Sequence, residues 1–160
     1  MTRMLRPSAV AAFREHLHGP LVSPDDADYN TARRVWNGRI DRRPALVAFC
    51  ADEADVVAAV HFAREHGVLV AVRGGGHSCA GTAVCDDGLV IDLSLMKTIE
   101  VDAADRSVSA QGGVLWGELD RATQNFRSGG SWRHRFRGRH CRTDARRRQW
   151  LADWLAPSNL

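Results

Sequence analysis

The stretch "AVRGGGHSCAG", Ala71–Gly81, governs how the rest of the chain is read. Three consecutive glycines leave the main chain bare, and His77 and Ser78 follow at once. Glycine reaches positive φ and admits a ligand to contact with the backbone, so successive N–H groups of such a turn can converge on an anion. The run in front of it, Val68–Val72 ("VLVAV"), is apolar throughout and predicts a strand covered on both faces. A bare loop after a buried strand is a grip for phosphate, with Gly74, Gly75 and Gly76 as its floor and Arg73 as a positive charge at its rim. The alternative is a structural turn that leaves His77 as a surface imidazole.

Other loops of this kind fail on spacing. A Rossmann fingerprint needs glycine at its first, third and sixth positions and a helix directly behind. Counted from Gly74 the sixth position is Cys79, counted from Gly76 the third is Ser78, and "TAVCDDG" after the loop has no helical period. A triphosphate loop would need Gly-Lys followed by Ser or Thr, which is absent here. His77, Cys79 and Cys85, taken with His61 or His66, match no usual zinc spacing, and no metal site is expected.

Outward from the loop the signals are regular. Ala45–Cys50 is a short apolar run. Asp52 follows as an N-cap with Asp55 three places on, Val56, Ala59, Val60 and Ala63 form a helical stripe, and Gly67 supplies the stop. With Val68–Val72 this is a strand–helix–strand unit with a right-handed crossover. Leu89–Leu95 reads as another buried strand, Thr98–Asp102 and Ser107–Gln111 as a hairpin, and Val114–Gln124 as a helix packing through Leu115, Leu119 and Ala122. "MTRMLRPSAVAAFREHLHG" at the start reads as an amphipathic helix. Pro24–Pro44 reads as a surface lead-in in which Trp36 caps the core. The fold class is α+β, divided as 1–44 (helix and lead-in), 45–126 (the domain proper) and 127–160.

No apolar run is long enough to span a bilayer, so no membrane partner is expected. The four cysteines, Cys50, Cys79, Cys85 and Cys141, have neither zinc spacing nor the density of a disulfide scaffold, and a cytoplasmic setting follows as the expectation.

"DRRPALVAFCADEADVVAAVHFAREHGVLVAVRGGGHSCAG" and "GLVIDLSLMKTIEVDAADRSVSAQGGVLWGELDRATQ" together resemble the FAD-binding half of the vanillyl-alcohol oxidase and p-cresol methylhydroxylase (PCMH-type) superfamily, on its berberine-bridge-enzyme-like branch. The resemblance covers about residues 20–126, with "RGGGHS" as its most specific motif. It implies FAD as cofactor, with Arg73, Gly74, Gly75, Gly76, His77 and Ser78 wrapping the diphosphate and Gly81 turning the chain back beneath it. It also makes His77 the candidate for a bond from a ring nitrogen to the 8α-methyl carbon of the flavin, and Gly112–Gly113 the close approach between hairpin and helix. The implied activity is flavin-dependent oxidation of a small substrate, the flavin performing the redox step. The substrate-side base of the family lies in a later domain, so no catalytic residue is assigned and this chain alone is expected to be inactive. A module that retains FAD or another nucleotide without turnover is the other reading.

The pattern breaks abruptly after "DRATQNF". Residues 1–126 carry 13 Lys+Arg against 17 Asp+Glu, whereas 127–160 carry 9 against 2. "RSGGSWRHRFRGRHCRTDARRRQ" holds nine arginines and no Val, Ile, Leu or Met, so it cannot repay its ordering entropy and is expected to be an irregular basic tail. Codons for Arg139–Trp150, with suitable synonyms and read one nucleotide later, give Gly-Ile-Ala-Gly-Leu-Thr-Leu-Gly-Gly-Gly-Asn-Gly, the kind of stretch the family carries here. A frameshift after about Phe126 with an early stop is the resulting expectation. The rival is an arginine-rich arm for nucleic acid, in which Trp132, Phe136 and Trp150 would stack on bases.

Overall fold

In the computed structural model, residues 5–124 and 126 are described in full and Arg133–Phe136 as backbone. The chain divides into two compact units, Met1–Met96 and Lys97–Leu160.

The first unit is built on a four-stranded sheet. Its strands are β1 (Leu21–Val22), β2 (Leu46–Phe49), β3 (Val70–Arg73) and β4 (Leu89–Asp92), in the order β1-β2-β4-β3. β4 runs parallel to both β2 and β3, and β1 lies antiparallel to β2. Three helices accompany them: α1 (Pro7–Glu15), α2 (Tyr29–Ala32) and α3 (Glu53–His66).

β4 lies between β2 and β3, and all four of its positions are buried. Its insertion separates β2 from β3, so the strand–helix–strand unit read from the sequence does not pair its own two strands. β3 is consequently an edge strand among the described residues. Val70 and Val72 face outward while Ala71 and Arg73 are buried, which corrects the expectation of cover on both faces.

α3 starts as its sequence dictates, with the Asp52 carboxylate accepting the Asp55 N–H at 3.0 Å, and ends on Gly67 in the left-handed conformation. Its buried face is Asp55, Ala59, Phe62 and Ala63; Val56 is half-buried and Val60 is exposed. The predicted stripe is rotated because Phe62 stacks on Phe13 of α1, with ring centroids 4.3 Å apart, and the larger aromatic surface sets the docking. The buried Asp55 carboxylate is satisfied by the N–H groups of His18, Gly19 and Ala51 at 2.9–3.0 Å, which ties α1 to the start of α3.

In the second unit, β5 (Ile99–Asp102) and β6 (Ser107–Ala110) form the expected antiparallel hairpin. α4 (Trp116–Gln124) packs Leu119 on Val108 and Ala110, while Leu115 is exposed. Leu115 instead donates its N–H to Glu118, which also holds Lys97 at 2.8 Å. A third strand, β7 (Arg133–Phe136), runs parallel to β6, a strand where composition predicted an irregular chain. Apart from β7's backbone, the tail read as 127–160 lies outside the described residues.

Candidate cofactor-binding loop

β3 and β4 end on opposite charges in register, Arg73 facing Asp92. Both side chains are buried, and the Arg73 Nε–H pairs with the Asp92 carboxylate. The remaining guanidinium donors reach the carbonyls of Ala32 (2.6 Å, from Nη2) and Arg34 (3.0 Å, from Nη1), and the group lies over the Phe49 ring. The other Asp92 oxygen accepts the Ser94 N–H at 2.8 Å. Arg73 therefore does not place its charge at the loop's rim as the sequence suggested. It anchors the root of the loop instead, since a buried guanidinium must spend its donors internally.

Beyond Arg73 the chain enters the glycine turn. Gly76 adopts φ +69° and Gly81 φ +70°, both in the left-handed region. At Gly81 space is also at issue: an added Cβ would stand 2.9 Å from the Ile40 side chain. Between them, His77, Cys79 and Ala80 are exposed and Ser78 is half-buried.

The hydrogen bonding of this turn is one-sided. The Gly76 carbonyl accepts the Trp36 N–H at 3.1 Å, the Ser78 carbonyl accepts the Gly81 N–H at 3.1 Å, and the Cys79 carbonyl accepts Asn37 Nδ2 at 3.0 Å. No described residue accepts from the N–H groups of Gly75, His77, Ser78, Cys79 or Ala80. In a trans peptide the C=O of one residue and the N–H of the next point in opposite directions. Holding three carbonyls inward thus turns the His77, Cys79 and Ala80 amides the other way. The Ser78 hydroxyl closes the turn against the Thr82 hydroxyl at 2.9 Å. Open amides on a left-handed glycine turn are the donor set an anion needs, and they sit at the carboxyl end of a parallel strand, where α/β sheets take their ligands.

Of two further residues of this arrangement, sequence reading misplaced Trp36 and passed over Asn37. Trp36 is 67% exposed and does not cap the core; its ring stands beside His77, centroids 6.2 Å apart. Asn37 reaches the loop from 42 residues upstream. The dipeptide Trp36–Asn37 carried no periodicity or motif that could have marked it.

The cysteines separate by burial. Burial pushes the Cys50 thiol up to about 12 and raises that of Cys85, whereas Cys79 is exposed. Cys85 packs in the core with Ala71, Val84 and Val90, away from the exposed His77 and Cys79 it was weighed with as a zinc set. The described His, Cys, Asp and Glu side chains that do converge within ligating distance are His18, Asp52 and Asp55. Asp55 there is consumed by main-chain donors.

A mixed sheet whose parallel strand β3 runs into a glycine turn with open amides is an arrangement that suits a nucleotide cofactor. Comparison with known proteins makes this specific: the family model for the FAD binding domain matches residues 44–133. (R)-6-hydroxynicotine oxidase of Paenarthrobacter nicotinovorans is 36% identical over 110 residues, covering 69% of this chain and 24% of the relative. Among solved structures, 6-hydroxy-D-nicotine oxidase from Arthrobacter nicotinovorans superposes with a TM-score of 0.67 at 36% identity, over 69% of this chain and 24% of that one. A variant of BBE-like 1 from Physcomitrella patens gives 0.68 at 28% identity, over 73% and 26%. The chain belongs to the FAD-binding domain family, and FAD is its cofactor. The berberine-bridge-like resemblance and the α+β fold read from the sequence hold. The chain spans about a quarter of the length of the relatives it matches.

Proposed function

We propose that this chain holds the FAD of a flavin-dependent oxidoreductase, with the turn from Arg73 to Ser78 gripping the diphosphate. The observation that carries the reading is the asymmetry of the turn: the carbonyls of Gly76, Ser78 and Cys79 are engaged, and no described residue accepts from the amides that follow them at His77, Cys79 and Ala80. A dianionic diphosphate is the ligand such a donor cluster favours, since each N–H contributes a charge-assisted hydrogen bond. Arg73 serves through its main chain and by fixing the loop's root. Gly81 returns the chain beneath the turn. His77, exposed between open amides, is the attachment candidate. When bound, the flavin supplies the two-electron redox chemistry; the residues here bind and orient it.

Titrating the full chain with FAD and, separately, with riboflavin tests this reading. FAD should bind and riboflavin, which has no phosphate, should bind at least about tenfold more weakly. Equal binding of the two, or none of either, would overturn the phosphate grip. For attachment, yellow colour should survive acid precipitation in the wild type and be lost in His77→Ala; colour lost from both removes His77 from that role and leaves the grip standing.

A further inference from the structure

The lead-in before β2 does more than cross the surface. Four of its groups reach the glycine turn or its root. Ala32 and Arg34 offer carbonyls to Arg73, Trp36 gives its N–H to Gly76, and Asn37 gives its amide to Cys79. Those last two bonds bracket His77 and Ser78. We propose that Trp36–Asn37 is a positioning clamp that aims the amides of His77 and Ala80, and so sets affinity for the FAD diphosphate. This rests on the FAD reading for its ligand, although the clamp itself rests on geometry alone.

The physical link is peptide planarity. Fixing the Gly76 carbonyl fixes the direction of the His77 N–H, and fixing the Cys79 carbonyl fixes that of Ala80. The Ser78 carbonyl between them is held only from within the turn, by Gly81. Without the clamp, two of the three peptide planes would be able to rotate, and a turn with two glycine φ angles above zero has little intrinsic stiffness to resist. Asn37 is itself held in place. Its Oδ1 accepts the Arg39 N–H at 3.1 Å and its carbonyl accepts the Ile40 N–H at 3.0 Å, so the side-chain amide is presented from a closed turn. Pre-organisation of this kind raises affinity by removing the cost of ordering the donors at binding.

Asn37→Leu removes the donor and the turn-closing acceptor together. Asn37→Asp keeps the acceptor for Arg39, loses the donor and adds a negative charge beside the turn, so it is read by hydrogen exchange and not by FAD affinity. Amide hydrogen exchange on the full chain without ligand should show Trp36 and Gly81 exchanging about tenfold faster in both variants, with the β4 amides unchanged. FAD affinity should fall about tenfold or more in Asn37→Leu, at an unfolding midpoint close to the wild type. If exchange at Trp36 and Gly81 is unchanged in either variant, the clamp is overturned whatever FAD does. If the wild type binds FAD and Asn37→Leu binds it equally, the clamp fails and the FAD reading stands. If the wild type binds no FAD, the FAD reading fails, and unaltered exchange alone would then refute the clamp.

Discussion

β3 and β4 are parallel strands of four residues each, hydrogen-bonded to one another, yet they are built on different terms. Every side chain of β4 is buried, whereas β3 buries only Ala71 and Arg73. The apolar runs that produce them, "VLVAV" and "LVIDL", look alike. Position in the sheet separates them: β4 has a partner on each side, and β3 among the described residues has one. Both end on a charge. Those charges meet beneath the glycine turn, so the buried strand and the edge strand share one foundation. Side chains make that foundation, and bare main chain forms the turn above it.

The largest effect should come from splitting that pair. Asp92→Ala would leave the Arg73 guanidinium buried with two carbonyl partners and no counter-charge, at a cost of about 3–5 kcal/mol in a denaturant melt. Replacing both, as in Arg73→Met with Asp92→Leu, should recover most of that loss, because the desolvation penalty disappears with the charges. Recovery of stability without recovery of FAD binding would separate the foundation's two tasks. A loss below about 1 kcal/mol in the single variant would mean that the pair is not buried as described.

The contrast between the strands themselves is the next test. Leu89→Ala removes a fully buried side chain from β4 and should cost about 2–5 kcal/mol. Val72→Thr changes an outward side chain that is 55% exposed on β3 and should stay within about 0.5 kcal/mol. Comparable losses at both sites would show that the outer face of β3 is covered in solution.

How far the sequence revealed this follows from what kind of interaction made each part. Local signals were legible. Asp52 with Asp55, Gly67 as a stop, the β5–β6 hairpin and the glycine turn are all written within a few residues of one another. The β4 insertion between β2 and β3 is set by long-range pairing, for which no local residue is a marker. The rotation of α3 came from one contact, Phe62 on Phe13, between residues 49 apart in sequence. Arg73 was read as a charge at the rim of the loop and instead turns inward from the end of β3, because a lone arginine does not reveal whether a buried Asp92 awaits it. Trp36 and Asn37 were invisible for a related reason, since their bonds to the turn involve carbonyls that any residue would supply.

A smaller effect is expected at the hinge of the turn. Gly81→Ala forces a side chain into φ +70° and against Ile40, for about 1–2 kcal/mol of strain, part of which Ile40 can relieve by moving. Gly76→Ala meets the Arg73 stem at 3.6 Å and the Val35 Cα at 4.0 Å, both ordinary contacts, so its cost comes from the positive φ alone. FAD affinity should discriminate between them in the other direction. Gly76 contributes the carbonyl that aims His77, and its substitution should weaken binding more than its modest stability cost suggests.

The smallest effect belongs to the exposed start of α3. The Asp52 carboxyl is held below its ordinary value, chiefly because it accepts the Asp55 N–H and secondarily because the His18 imidazole stands beside it. A carboxylate depressed by folding stabilises the native state at pH above its unfolded value, and the contribution disappears as pH falls through the lower folded value. Asp52→Asn keeps a good N-cap and abolishes the titration. Urea melts at about pH 7 and about pH 3 should therefore differ less in the variant than in the wild type, the wild type losing the extra increment on acidification. The group is at the surface, so added salt should shrink the difference further. An unchanged acid dependence would assign the acid limb to other depressed carboxylates, such as Asp26 and Asp41, and would leave the Asp52 cap acting through its hydrogen bond without its charge.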